Sequence, residues 1–160
     1  MSSPEASFTP TSGNASLTTP AQASSLRKSG HVLLKSHPCK ISSLSTSKPG
    51  KHGHAKLNIE GYDIFTHKKY EDVFPSHATV EVPVVTKVEY QVLMVARDWF
   101  LSLWRVEDEV TRGDLRVPEG EARDKLRKLM AEEKEVGVIV VRAMGRDMVL
   151  EVKEIGRDED

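Results

Sequence analysis

Between residues 26 and 82 the apolar side chains come only in short bursts, at 31–34, 39–44, 55–59, 63–66, 69–74 and 79–82, broken by Gly, Pro, Asn and Asp. Runs this short are poor helices, and their even spacing matches strands joined by tight turns. The pattern predicts a small antiparallel barrel. Gly61-Tyr62-Asp63 and His67-Lys68 are expected to serve as its turns, with residues 48–53 forming the hairpin between two of its strands.

Beyond a short stiff crossing at 83–87 the pattern changes. Residues 90–96 and 99–106 read as paired strands around Arg97-Asp98, with Leu101, Leu103 and Trp99 on one face, and 111–117 as a third strand before Pro118-Glu119-Gly120. Residues 121–133 set Ala122, Leu126, Leu129 and Met130 at helical spacing with charges opposite. Two β-forming runs, 136–143 and 148–155, turned by Gly145-Arg146-Asp147, complete the half. Three strands, a helix and two strands is the order of an OB-fold. Residues 1–24, rich in Ser, Thr, Ala and Pro and without apolar periodicity, are expected to be a disordered tail. The expected organisation is therefore mainly β: a tail (1–24), a first barrel (25–83) and an OB-fold with one short helix (84–160).

At 160 residues the chain is long enough for two small cores, and 38% hydrophobic with 29% charged residues is an ordinary soluble composition. No apolar run approaches bilayer length, and the tail lacks the apolar core of a signal peptide. The single cysteine excludes an internal disulfide framework and fits a reducing compartment, so the expected location is cytoplasmic. Cys39, in an apolar alternating run, is expected to be a buried small hydrophobe. The net charge of −1 conceals an asymmetry. From Leu26 to Lys56 there are seven Lys or Arg, four His and no Asp or Glu, whereas acids outnumber bases after Pro83. Such a basic half points toward phosphate, although a solvated basic face with no partner has the same composition.

The most constrained stretch inside that basic half is Ser45-Thr46-Ser47-Lys48-Pro49-Gly50-Lys51-His52-Gly53-His54-Ala55-Lys56. Pro49-Gly50 is the pair a type II turn requires, so Lys51 follows a tight corner and Gly53 leaves no bulk on its far side. Lys48, Lys51 and Lys56 with no acid among them make a tip suited to a polyanion. Composition alone also allows an ordinary solvated hairpin. A phosphate-binding P-loop does not fit, because Ser45 stands where its first glycine belongs and His52 where its Ser/Thr belongs. His52 and His54 have only Cys39 to complete a metal site, so no metal is expected. Catalysis lacks a constellation too: the carboxylates lie in surface-like charge runs, and no Gly-rich nucleotide loop is present.

This loop, together with Leu26-Arg27-Lys28-Ser29-Gly30, His37-Pro38-Cys39-Lys40-Ile41, Asp63-Ile64-Phe65-Thr66 and Lys68-Lys69-Tyr70-Glu71-Asp72, closely resembles the eukaryotic translation initiation factor 5A family. The likeness runs from about residue 25 to 83. It is weaker in the second half, chiefly at Leu101-Ser102-Leu103 and residues 114–120. One departure is Pro49, where the family usually has threonine. The resemblance implies that the first barrel is SH3-like and the second an OB-fold. It implies that Lys51 becomes hypusine, by transfer of an aminobutyl group from spermidine by deoxyhypusine synthase and then hydroxylation by deoxyhypusine hydroxylase, with no bound cofactor. It further implies a ribosome-bound, non-enzymatic factor whose modified lysine reaches the acceptor end of the peptidyl-tRNA. There it promotes peptide-bond formation, particularly at proline-rich stalls, and termination. Lys48, Gly50, His52, Gly53, His54 and Lys56 would line the approach, with Arg27 and Lys28 as outer phosphate contacts. The alternatives are a diverged, unmodified module binding single-stranded RNA, in which Trp99 and Trp104 could stack on bases, and a metal-binding adaptor through His52 and His54.

Overall fold

The computed structural model describes residues 17–48, 50, 51, 53–105 and 107–156. The chain divides into two compact units, residues 1–84 and 85–160. In the first, β1 (Thr18–Gln22), β2 (His31–Leu34), β3 (His37–Ser47), β4 (Lys56–Asp63), β5 (Lys69–Pro75) and β6 (Thr79–Pro83) form a four-stranded sheet, β2-β3-β4-β5, and a β1-β6 pair. The curled sheet and the pair close as a small barrel over Ala23, Leu26, Val32, Leu34, Cys39, Ile41, Leu57, Ile59 and Val80. Lys35 and Ser36 both take positive φ (50° and 71°), the twist of a two-residue hairpin turn, and place Leu34 opposite His37.

Three expectations are corrected here. The tail does not extend to residue 24: Thr18–Gln22 pairs antiparallel with Thr79–Pro83, and Ala23 is completely buried. Small and hydroxyl residues carry no periodicity to announce this strand, which exists because β6 offers it an edge. Residues 1–16 lie outside the described residues. Gly61-Tyr62-Asp63 is not a turn but the end of β4, where Gly61 opposes Ile41 in the strand ladder. Nor is 63–66 a strand. The buried Asp63 carboxylate accepts the backbone N–H of Phe65 (2.7 Å) and of Thr66 (3.0 Å), turning the chain locally in place of a ladder. Its other oxygen lies 3.3 Å from Nδ1 of His37, whose ring stacks on Tyr70 at 4.2 Å.

The second unit holds β7 (Thr86–Val95), β8 (Phe100–Arg105), β9 (Val110–Arg116), α1 (Glu121–Ala131), β10 (Val136–Ala143) and β11 (Arg146–Glu154). Its sheet order is β11-β10-β7-β8-β9, with β9 returning toward β11, the closure of an OB-fold. Leu101, Leu103 and Leu126 are almost fully buried in its core, as their spacing predicts, and Val138 and Val149 are buried with them. The helix ends two residues early because Glu133 takes a left-handed φ of 57°. The amides of Glu133 and Lys134 then close back on the carbonyls of Met130 and Leu129. Met130, expected on the apolar face, is 44% exposed. Trp99 packs half-buried against the core beneath the guanidiniums of Arg123 and Arg127, each 5.0 Å from its ring. Among the described residues no helix is long and apolar enough to cross a membrane.

Candidate nucleic-acid interface

The β3–β4 hairpin begins deep in the first barrel and ends outside it. At its base β3 has β2 on one side and β4 on the other, but the β2 pairing stops at Lys40. The β4 pairing continues to Ser47 and Lys56. Side chains follow that loss of cover: Ile41 is buried, Leu44 half-buried, and Ser45, Thr46 and Ser47 exposed. Small hydroxyl residues suit a stem with no core to pack against. Asn58 laces it by donating from Nδ2 to the Ser45 carbonyl (3.5 Å) and the Ser47 hydroxyl (3.4 Å).

The described residues of the tip are 48, 50, 51 and 53–55. Gly50 takes φ +73°, the positive φ expected of the second corner of a type II turn, and a Cβ built there meets nothing within 4 Å. Lys48, Lys51, His54 and Lys56 are exposed, and Gly53 is half-buried. Pro49 and His52 lie outside the described residues. From Leu26 to Ile59 the chain carries no acidic residue, and the hairpin's two carboxylates, Glu60 and Asp63, pair with Ser43 and Cys39 away from the tip and its three lysines. The Lys51 ammonium is thus carried on an open corner.

The hairpin is braced at its tip end by the neighbouring turn. Ser76 donates its backbone N–H to the Ala55 carbonyl (3.1 Å), Ser24 donates to the Ser76 carbonyl (3.1 Å), and Ala23 donates to that of Ala78 (2.8 Å). Arg27 joins this brace through Nη1, which donates to the carbonyls of Ser24 (3.4 Å) and Leu26 (3.0 Å). Lys28 follows it in the chain. The next residue, Ser29, is bonded to Ile41 (2.9 Å), and the seven strand positions from there to Lys48 span about 23 Å at roughly 3.3 Å each. The fold thus gathers the loop residues and leaves Lys28 level with the middle of β3. Two contributors were not foreseen. Asn58 acts across the stem, and His77 meets the ring of His54 edge-on at 6.3 Å. Both contacts depend on strand register, which local sequence does not display. Cys39 is sealed in the core at the opposite end of β3, with burial first and repulsion from Asp63 second pushing its thiol up to about 11. It therefore cannot join the loop histidines around a metal.

A family model described as translation initiation factor 5A-like, N-terminal, matches residues 16–78. Another, described as eukaryotic elongation factor 5A hypusine, DNA-binding OB fold, matches residues 84–153. The chain is 45% identical to eukaryotic translation initiation factor 5A-1 of Saccharomyces cerevisiae over 159 residues, covering 99% of this chain and all of the relative. The chain belongs to the translation initiation factor 5A family. The Drosophila melanogaster member of that family is 45% identical over 91% of each chain. A solved family structure from Naegleria fowleri superposes with a TM-score of 0.77 at 47% identity, covering 86% of this chain and 99% of the other. The factor from Methanococcus jannaschii gives a TM-score of 0.67 at 31% identity over 85% and 95%. As a member of the 5A family the chain is a translation factor, and that role implies interaction with the ribosome.

Proposed function

We propose that Lys51 is the residue converted to hypusine and that the modified side chain enters the peptidyl-transferase region beside the acceptor end of the peptidyl-tRNA. The observation that carries this reading is the exposure of Lys51 next to a positive-φ glycine, on a hairpin tip free of carboxylates. An enzyme that must seat the lysine amine and bring spermidine to it needs such an unobstructed corner. The added aminobutyl chain moves a second cation several ångströms past the tip, and the hydroxyl adds a donor, both matched to phosphate and ribose acceptors. Lys48, His54 and Lys56, with His52, line the approach, and Gly50 and Gly53 keep it narrow. Arg27 and Lys28 contact phosphate further out. The factor positions the substrate and the ribosome performs the chemistry, so the gain is greatest where the nascent chain reacts poorly, as at successive prolines, and it extends to termination.

Lys51→Arg tests this directly. Arginine keeps the charge and the exposed position but cannot accept the aminobutyl group, so the variant is expected to fold normally and fail to support growth in cells lacking their own factor. Full complementation by Lys51→Arg would refute the reading. Intact mass of the native protein supplies an independent check: an unmodified mass identifies instead a diverged RNA-binding module that does not act in elongation.

A further inference from the structure

At one end of the second barrel the core changes chemistry abruptly. Directly paired residues share a sheet face, so residues in register with core positions point into the barrel. Arg112 pairs with the buried Leu103, Arg105 lies two residues beyond Leu103, and Arg142 pairs with Asp147, two residues past the buried Val140. Where the pattern calls for Leu or Val, the mouth therefore holds Arg105, Arg112 and Asp147, largely buried, with Arg142 at its rim, 63% exposed. They surround a cavity of about 220 Å³ whose wall includes Tyr90. The guanidiniums of Arg105 and Arg112 lie 5.6 and 5.8 Å from the Tyr90 ring centre, which braces both.

The carboxylates do not balance these cations within the cavity. Asp147, only 10% exposed, is shared between Arg142 (2.6 Å) and Arg112 (3.0 Å). Asp108 and Asp114 hold Arg105 and Arg112 through the Nε–Nη2 edges, yet they are 49% and 64% exposed and stand outside the cavity wall. Both pairs are bidentate, the geometry that holds an ion pair best, so a phosphate must take the guanidinium edges they leave or displace Asp108 and Asp114. The wall itself thus carries three positive charges against one negative. A cavity below the ~300 Å³ of ordinary ligand pockets takes a single small group, not a whole nucleotide.

We propose that this barrel mouth is a phosphate seat, in which Arg105, Arg112 and Arg142 grip a phosphate through charge-assisted hydrogen bonds while Asp147 keeps Arg112 and Arg142 in place. The phosphate is either a diester of an RNA strand or free phosphate. The seat is independent of the lysine loop and stands whether or not Lys51 is modified.

Arginine Nε–Hε resonances of the full chain, labelled with 15N, test the seat without any substitution. Titration with inorganic phosphate, against sodium chloride at matched ionic strength, is expected to shift Arg105, Arg112 and Arg142 saturably. A parallel titration with a six-nucleotide uridine RNA identifies the source: shifts with both ligands assign an RNA backbone contact, and shifts with phosphate alone assign a free-ion site. The double variant Arg105→Gln, Arg142→Gln keeps the deeper Arg112 and is expected to weaken phosphate binding at least tenfold. If RNA is the ligand, the slope of log K against log salt falls by about 0.7, the loss of one neutralised phosphate on a single strand. Shifts that follow chloride as closely as phosphate, or a folded double variant that binds phosphate as the parent does, overturn the proposal and leave the cluster a clamp between β9 and β11.

Discussion

Replacing Gly61 by alanine should be among the most damaging single-methyl additions to the first barrel. A Cβ at position 61 would stand 2.8 Å from the Lys40 carbonyl oxygen, 3.1 Å from Cys39 Cβ and 3.2 Å from Leu34 Cδ1. The closest of these atoms is backbone in the adjacent strand, so relief requires β3 and β4 to separate where the functional hairpin is rooted. Overpacking of this kind costs about 1–3 kcal/mol. The reduced freedom of the unfolded chain returns about 0.4–1 kcal/mol. The net loss is about 1–2 kcal/mol, which for a domain of this size lowers the melting temperature by roughly 4–8 °C per kcal/mol. Gly113→Ala is the matched control, because that strand glycine has its nearest neighbour, the Leu101 carbonyl oxygen, at an ordinary 3.9 Å. Calorimetry on both variants should show a large fall for Gly61→Ala and a change near zero for Gly113→Ala. Equal melting temperatures for the two would refute the close-approach account of Gly61.

Other perturbations separate the remaining contributions. The Asp147 carboxyl is held below the usual carboxylate range, first by its hydrogen bond from Arg142 and then by Arg112 against the opposing effect of burial. Its stabilisation is therefore complete above an ordinary pKa of about 4 and is lost as pH falls through the lower folded value. Asp147→Asn should cost about 1–3 kcal/mol in urea titrations at pH 7, with the gap to the parent closing progressively below pH 4; a gap independent of pH would contradict this. The Cys39 thiol, fully buried and pushed up to about 11, should resist a maleimide at pH 7.5 in the native protein and react promptly in denaturant, as read by intact mass. Prompt native labelling would show that the core opens far more readily than its packing implies. A chain starting at Ser25 loses β1 and Ala23, stripping β6 of its partner, and is expected to show a lower first-barrel melting temperature or self-association through that edge. An unchanged melting temperature would make β1 dispensable.

What the amino-acid order determined by itself is whatever depends on neighbours a few residues apart. Strand-length apolar runs, the helical spacing of Leu126 and Leu129, the burial of Cys39 and the open Lys48–Lys56 loop were all legible, because side-chain period and turn chemistry are local properties. The same locality made the loop recognisable as that of the translation initiation factor 5A family. Tertiary structure decided the rest. Gly61 looked like a turn residue because glycine permits both a tight corner and a close approach, and only the carbonyl of Lys40 across the ladder selects the second. Thr18–Gln22 became a strand because β6, some sixty residues on, supplied hydrogen bonds that no local pattern records. Arg105, Arg112, Arg142 and Asp147 are far apart along the chain and meet only because barrel closure gathers them around one mouth, with Arg142 at its exposed rim. Periodicity is written within a strand, but which strand lies beside it is settled only when the chain closes on itself.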